Sequence, residues 1–184
     1  MNVKAKSYKV KQERRVKEQS KGKTKQVVLG EAELVEAVAR DRTAGLTIAF
    51  ANGCFDLLHV GHVRYLQTAR ALGDFLAVGL NGDRSVRELK GSGRPIITER
   101  DRAEVLAALG CVDLVTIFPE MRATRFLVAA RPAIYVKGGD YSSETLNEEE
   151  RATLKQISAE IRIIPFEPGY STSQLLEQIC RIEK

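Results

Sequence analysis

The chain has 184 residues, 43% of them hydrophobic, no Trp and a formal net charge of +5. That length admits one domain with a full core, leaves no room for a second catalytic domain and predicts a stand-alone protein. No apolar run approaches the roughly 20 residues of a membrane span and the N-terminus is too polar for a signal-peptide core, so a cytoplasmic protein is expected.

The charge is unevenly placed. Residues 1 to 25 hold ten Lys or Arg against two Glu, which leaves nineteen against twenty-two for the remainder. A Lys-rich stretch with almost no apolar residues cannot bury enough surface to fold alone. Residues 1–28 are therefore expected to be a basic, disordered tail, either a solvated segment or a contact for a polyanion, and residues 29–184 the folded domain. Cys54, Cys111 and Cys180 are odd in number, far apart and without CxxC spacing, which suggests neither a disulfide framework nor a zinc cluster.

In chain order, Leu34, Val35, Val38 and Ala39 make a helical stripe that Gly45 ends, and Leu46 to Ala51 form an apolar run that reads as a buried strand. The strand breaks at Asn52-Gly53, and after HVGH a helical period resumes with Val63, Leu66 and Ala69. FLAVGLN is a second strand ending in Asn81-Gly82-Asp83, followed by a short polar segment, the loop LKGSGRP and a helix from Glu99 to Leu109 with Thr98 and Asp101 in capping-box spacing. VDLVTIF, AIYVKG and IRIIPF supply three more strands, with helices at Met121 to Ala130, Asn147 to Ala159 and Ser171 to Ile182. Strands alternating with helices predict an α/β fold, doubly wound, with a mostly parallel five-stranded sheet and its site at the carboxyl ends of the strands.

His59 and His62 are the chain's only histidines, and they flank Gly61 where a helix should begin. Unpaired N–H groups and the positive dipole end at a helix start favour an anion, and Gly61 lets a phosphate approach the backbone. The pair can hold phosphate, join Asp56 in a zinc site, or simply cap and pack. A zinc site needs a further strong ligand, and the residue types alone leave the three readings open.

The stretch GCFDLLHVGHVRYL closely resembles the HxGH signature of the cytidylyltransferase-like nucleotidyltransferases, whose fold is Rossmann-like. NGCFD, LKGSGRP and KGGDY look more specifically like the heptose 1-phosphate adenylyltransferase of ADP-heptose synthesis. The resemblance runs from about Glu31 to Ile182. It implies transfer of AMP from ATP to a sugar 1-phosphate, D-glycero-β-D-manno-heptose 1-phosphate above all, with Mg²⁺, release of pyrophosphate and a homodimeric assembly.

The same resemblance makes His59, His62 and Lys90 the catalytic residues. It places Asn52, Gly53, Cys54, Phe55, Gly61, Gly138, Gly139, Asp140, Tyr141, Ser171, Thr172 and Ser173 at the nucleotide, and Asp56, Asn81, Asp83, Arg94 and Arg102 at the substrate. Plainer readings stand beside several of these: a solvated loop lysine for Lys90, a turn for Asn81-Gly82-Asp83, a Gly-Gly turn in KGGDY, and a capping box for Ser171 with Gln174. Two departures matter. Phe166 stands where related cytidylyltransferases carry an arginine, which argues against a glycerol- or choline-phosphate substrate, and Ala51 replaces the more usual Thr. The rival functions are a cytidylyltransferase for a polyol or alcohol phosphate, a flavin-forming adenylyltransferase, and a non-catalytic nucleotide-sensing or RNA-tethered protein.

Overall fold

The structure is a computed structural model in which residues 28–139, 146–165 and 169–182 are described. Asp140, Tyr141 and Phe166, with nearly all of the basic segment, lie outside the described residues. The elements are β1 (Val28–Leu29), α1 (Glu31–Thr43), β2 (Ile48–Gly53), α2 (Val60–Ala71), β3 (Phe75–Asn81), α3 (Asp83–Lys90), α4 (Glu99–Ala107), β4 (Leu114–Phe118), α5 (Thr124–Ala130), β5 (Ile134–Gly138), α6 (Glu148–Gln156), β6 (Glu160–Ile164) and α7 (Thr172–Ile182).

The strands form one sheet in the order β1-β4-β3-β2-β5-β6, every pair parallel. All five expected strands are present, and a two-residue sixth, β1, joins the outer edge of β4 through Val28↔Val115 and Leu29↔Thr116. Val28 thus belongs to the sheet rather than to the tail.

The two-residue period of the strands divides the core. Ile48, Phe50 and Tyr135 meet α1, α5 and α6 on one face, while Ala49, Ala51, Val78, Ile134 and Val136 meet α2 and α4 on the other. Phe50 packs against Phe126 with ring centroids 4.8 Å apart and the planes tilted by 33°, an arrangement that adds about 1 kcal/mol beyond area burial. Because successive crossovers from β2 go first toward β3 and later toward β5, the order reverses between β2 and β5. A crevice opens there at the carboxyl ends, where open α/β sheets take their ligands.

Helix α3 corrects the expected polar segment. Five of its eight residues are charged and only Ser85 and Val86 are buried, so it lacks an apolar stripe. It forms because Gly82 N–H donates to Phe118 and Asp83 N–H to Glu99 Oε2 at 2.7 Å, anchoring its first turn. Lys90 is therefore the last residue of a helix, which Gly91 ends at φ 93°, a conformation that suits glycine. The other helices match expectation within a few residues, and Thr98 and Asn147 cap α4 and α6 through their side-chain oxygens.

Candidate active site

At the end of β2 the chain turns through Phe55 at φ 42° and starts α2 with His59 as N-cap in extended conformation. The His59 side chain makes no capping bond, which removes the capping reading. Instead the His59 and His62 rings stack with centroids 3.9 Å apart, and Phe55 meets His62 edge-on at 5.4 Å. The Nδ1 atoms of both histidines are buried without a hydrogen-bond partner. Orphaned buried polar atoms cost about 1 to 3 kcal/mol each, a cost a bound ligand would relieve.

Burial lowers the pKa of both imidazoles. His62 falls to about 4 through desolvation first and the neighbouring His59 second. His59 is also lowered by desolvation. Both rings are thus neutral near pH 7, each offering one N–H donor and one acceptor beside a helix N-terminus. Gly61 is closely packed, since a Cβ there would lie 3.0 Å from the His59 ring and from Tyr170 and would press on both.

Tyr170 is a site residue the sequence reading missed. It stacks over His59 at 6.4 Å, with the Arg64 guanidinium 5.6 Å from its ring centroid. This brings the start of α7 to the start of α2. Ser171 Oγ accepts from Gln174 N–H at 3.1 Å, so its capping role is seen directly, while Thr172 opens the helix and Ser173 is exposed.

The expected substrate residues behave differently. Asp56 is buried and pairs with Arg94 at 2.6 Å, and it also accepts from Ile96 N–H at 2.8 Å and Ile97 N–H at 3.2 Å. Arg102, 2% exposed, donates to the carbonyls of Cys54, Asn81 (3.0 Å) and Ile97 (2.9 Å) and to Asp83 Oδ1 at 2.7 Å. Four of its five N–H donors are used in this way, so it ties together the ends of β2 and β3. Asn81 is 3% exposed and donates to Ser85, Glu120 and Met121.

Asn52 and Gly53 end β2, and Gly138 ends β5 against the Tyr65 ring. Gly139, at φ 134°, donates to Ile164. Burial raises the Cys54 thiol against the opposing pull of Lys90, Arg102 and Lys137, which suits a neutral wall residue rather than a nucleophile. Lys90 is exposed at the rim, near enough to Cys54 to act on it.

Asp56, the third ligand the zinc reading calls on, is buried against Arg94, and no group of three His, Cys, Asp or Glu able to hold a metal occurs among the described residues. This disfavours the zinc reading of the histidines. A cavity of about 350 Å³ lies elsewhere, lined by Arg42, Ile48, Arg131, Ile157 and others, and no expected site residue lines it. Among the described residues, no helix is long and apolar enough to cross a membrane.

Known proteins resemble this chain in sequence and in fold. The chain is 49% identical over 146 residues to the bifunctional protein HldE of Citrifermentans bemidjiense, covering 79% of this chain and 30% of that protein. It is 49% identical over 148 residues to the protein of the same name from Helicobacter pylori, covering 80% and 30%. The chain thus spans about a third of the length of these curated relatives. A crystal structure of the lipopolysaccharide core biosynthesis protein from Thermoplasma volcanium superposes with a TM-score of 0.56 at 27% identity, covering 67% of this chain and 98% of that one. The cytidylyltransferase-like family model matches residues 50–178, from the central strand through most of α7, and the chain belongs to that family.

Proposed function

We propose that the protein transfers AMP from ATP to a sugar 1-phosphate, with D-glycero-β-D-manno-heptose 1-phosphate the leading acceptor, giving an ADP-sugar and pyrophosphate. The observation that carries this reading is the stacked, neutral His59–His62 pair at the start of α2, each ring with an unpartnered buried nitrogen. The name of the Thermoplasma lipopolysaccharide core biosynthesis protein and the NGCFD and KGGDY spelling support a sugar phosphate rather than a polyol phosphate as acceptor.

In the reaction an oxygen of the acceptor phosphate attacks the α-phosphorus in line, and the bond to the departing pyrophosphate breaks. Charge grows on the equatorial and leaving oxygens, so preorganised donors supply the catalysis and no covalent enzyme intermediate is needed. His59 and His62 would donate N–H groups to those oxygens together with the backbone amides of the α2 start. Lys90, on a helix end followed by Gly91 and Gly93 at φ 93° and 85°, would bring a cation over them. Mg²⁺ would enter as part of MgATP and lower the charge on the phosphates, with the partly exposed Asp83 rather than the buried Asp56 available to its water ligands.

Pyrophosphate release across a matrix of nucleotides and phosphorylated acceptors tests the reading. ATP with a sugar 1-phosphate is expected to give the highest kcat/KM, and preference for CTP with a polyol phosphate would overturn it. A cytoplasmic location, a homodimer and polyanion contact through residues 1–27 complete the proposal. Sedimentation and the salt dependence of nucleic-acid binding check the last two.

A further inference from the structure

Strand β5 is apolar on one face, where Ile134 and Val136 are buried, but on the other it carries Tyr135 and Lys137. Tyr135 is fully buried, and its hydroxyl donates to Asn52 Oδ1 at 2.8 Å while accepting from Lys137 Nζ at 3.2 Å. The Lys137 ammonium lies 3.7 Å from the carboxylate of Glu150 on α6, itself 5% exposed, and 5.8 Å from the Tyr135 ring centroid. A polar chain therefore runs from Glu150 through Lys137 and Tyr135 to Asn52, spanning the crevice between β5 and β2.

A buried ion pair and a buried hydroxyl stabilise a fold no better than apolar side chains of like volume. Their effect here is directional. An ammonium can only donate, so the Tyr135 oxygen accepts from Lys137 and its proton is left for Asn52 Oδ1. With the carboxamide oxygen engaged, the Asn52 Nδ2 hydrogens become the free end of the chain, and no described residue accepts from them.

We propose that Glu150, Lys137 and Tyr135 are positioning residues that fix the Asn52 carboxamide, so that its N–H donors bind the phosphorylated acceptor rather than ATP. This deepens the AMP-transfer reading and rests on it. In-line displacement places the attacking oxygen opposite the leaving pyrophosphate. The imidazole pair and the α2 start draw the triphosphate to the α2 face of the sheet. The Tyr135 chain lies on the α6 face of the same crevice, where the attacking partner must enter.

The test is steady-state kinetics of Tyr135→Phe, which removes one oxygen and keeps the ring in the core. The acceptor KM is expected to rise about tenfold, with the ATP KM within about twofold of wild type, the span a lost hydrogen bond accounts for. Asn52→Ala should raise the acceptor KM further. Adding Tyr135→Phe to it should then change little, because the proposed effect passes through Asn52. Glu150→Gln, outside the crevice, should repeat the acceptor-selective change more weakly and decides the matter should Tyr135→Phe lower the melting temperature. Equal rises in both KM values, independent effects of Tyr135→Phe and Asn52→Ala, or a folded Tyr135→Phe with unchanged kinetics would overturn the proposal. If wild type joins a different nucleotide and acceptor, the AMP reading fails, and the KM split measured on that pair still decides the role of the chain.

Discussion

Two clusters of polar side chains stand at the carboxyl end of the sheet, and they are built on opposite plans. Asp56, Arg94, Asp83 and Arg102 are partnered: each carboxylate meets a guanidinium, and Arg102 also holds three carbonyls. His59 and His62 are stacked and desolvated, with buried nitrogens that nothing in the described chain satisfies. The contrast separates residues that hold the site's shape from residues kept open for a ligand. Loss of the first kind should damage the fold, and loss of the second should damage turnover.

The sharpest way to break that contrast is Arg102→Met. Removing one partner of a buried pair typically costs about 3 to 5 kcal/mol, and calorimetry should show the melting temperature reduced by roughly 10 °C. An Arg102→Met protein that melts normally but loses acceptor binding would keep Arg102 among the substrate residues. His62→Ala makes the opposite case. Turnover should fall about 10²- to 10³-fold, or about 3 to 4 kcal/mol, with little change in melting temperature, as single-turnover kinetics and thermal melts would show.

Acidity sharpens the comparison further. His62 is lowered from 6.5 to about 4, so between those values the unfolded chain binds more protons than the folded one. Stability from this group is complete above pH 6.5 and declines as pH falls toward 4, by at most about 1.4 kcal/mol per pH unit. Urea unfolding across that window should show the decline, and His62→Gln should flatten it. The smallest effect concerns α7. Ser171→Ala removes an observed N-cap and should cost about 1 kcal/mol, measurable by urea unfolding, whereas a loss of activity beyond tenfold would make the hydroxyl a ligand contact as well.

The sheet was legible in the sequence because its strands are buried on both faces and read as short apolar runs, as FLAVGLN does. Helix α3 was not, because it has no apolar face and depends on Phe118 and Glu99, residues distant along the chain. His59 and His62 were found as an isolated pair beside a glycine at a helix start. The protein partners of Arg102 and Asp56 were not legible, since burial decides which neighbours a charge meets, and composition does not report burial. The Tyr135 bond to Asn52 joins residues 83 positions apart on adjacent strands, and no local pattern announces it.

The two-residue strand β1 carries a practical consequence for anyone shortening the chain. Val28 and Leu29 cover the outer edge of β4, which would otherwise present unpaired amides and carbonyls to solution. Such edges recruit strands from other molecules, and short edge strands are a natural guard against that. At the far side, β6 has its own protection in the alternating charges of Glu160 and Arg162. A truncation ending before residue 28 and one removing residues 28 and 29 would thus yield different materials: the first is expected to stay dispersed, and the second to self-associate through β4 as its concentration rises.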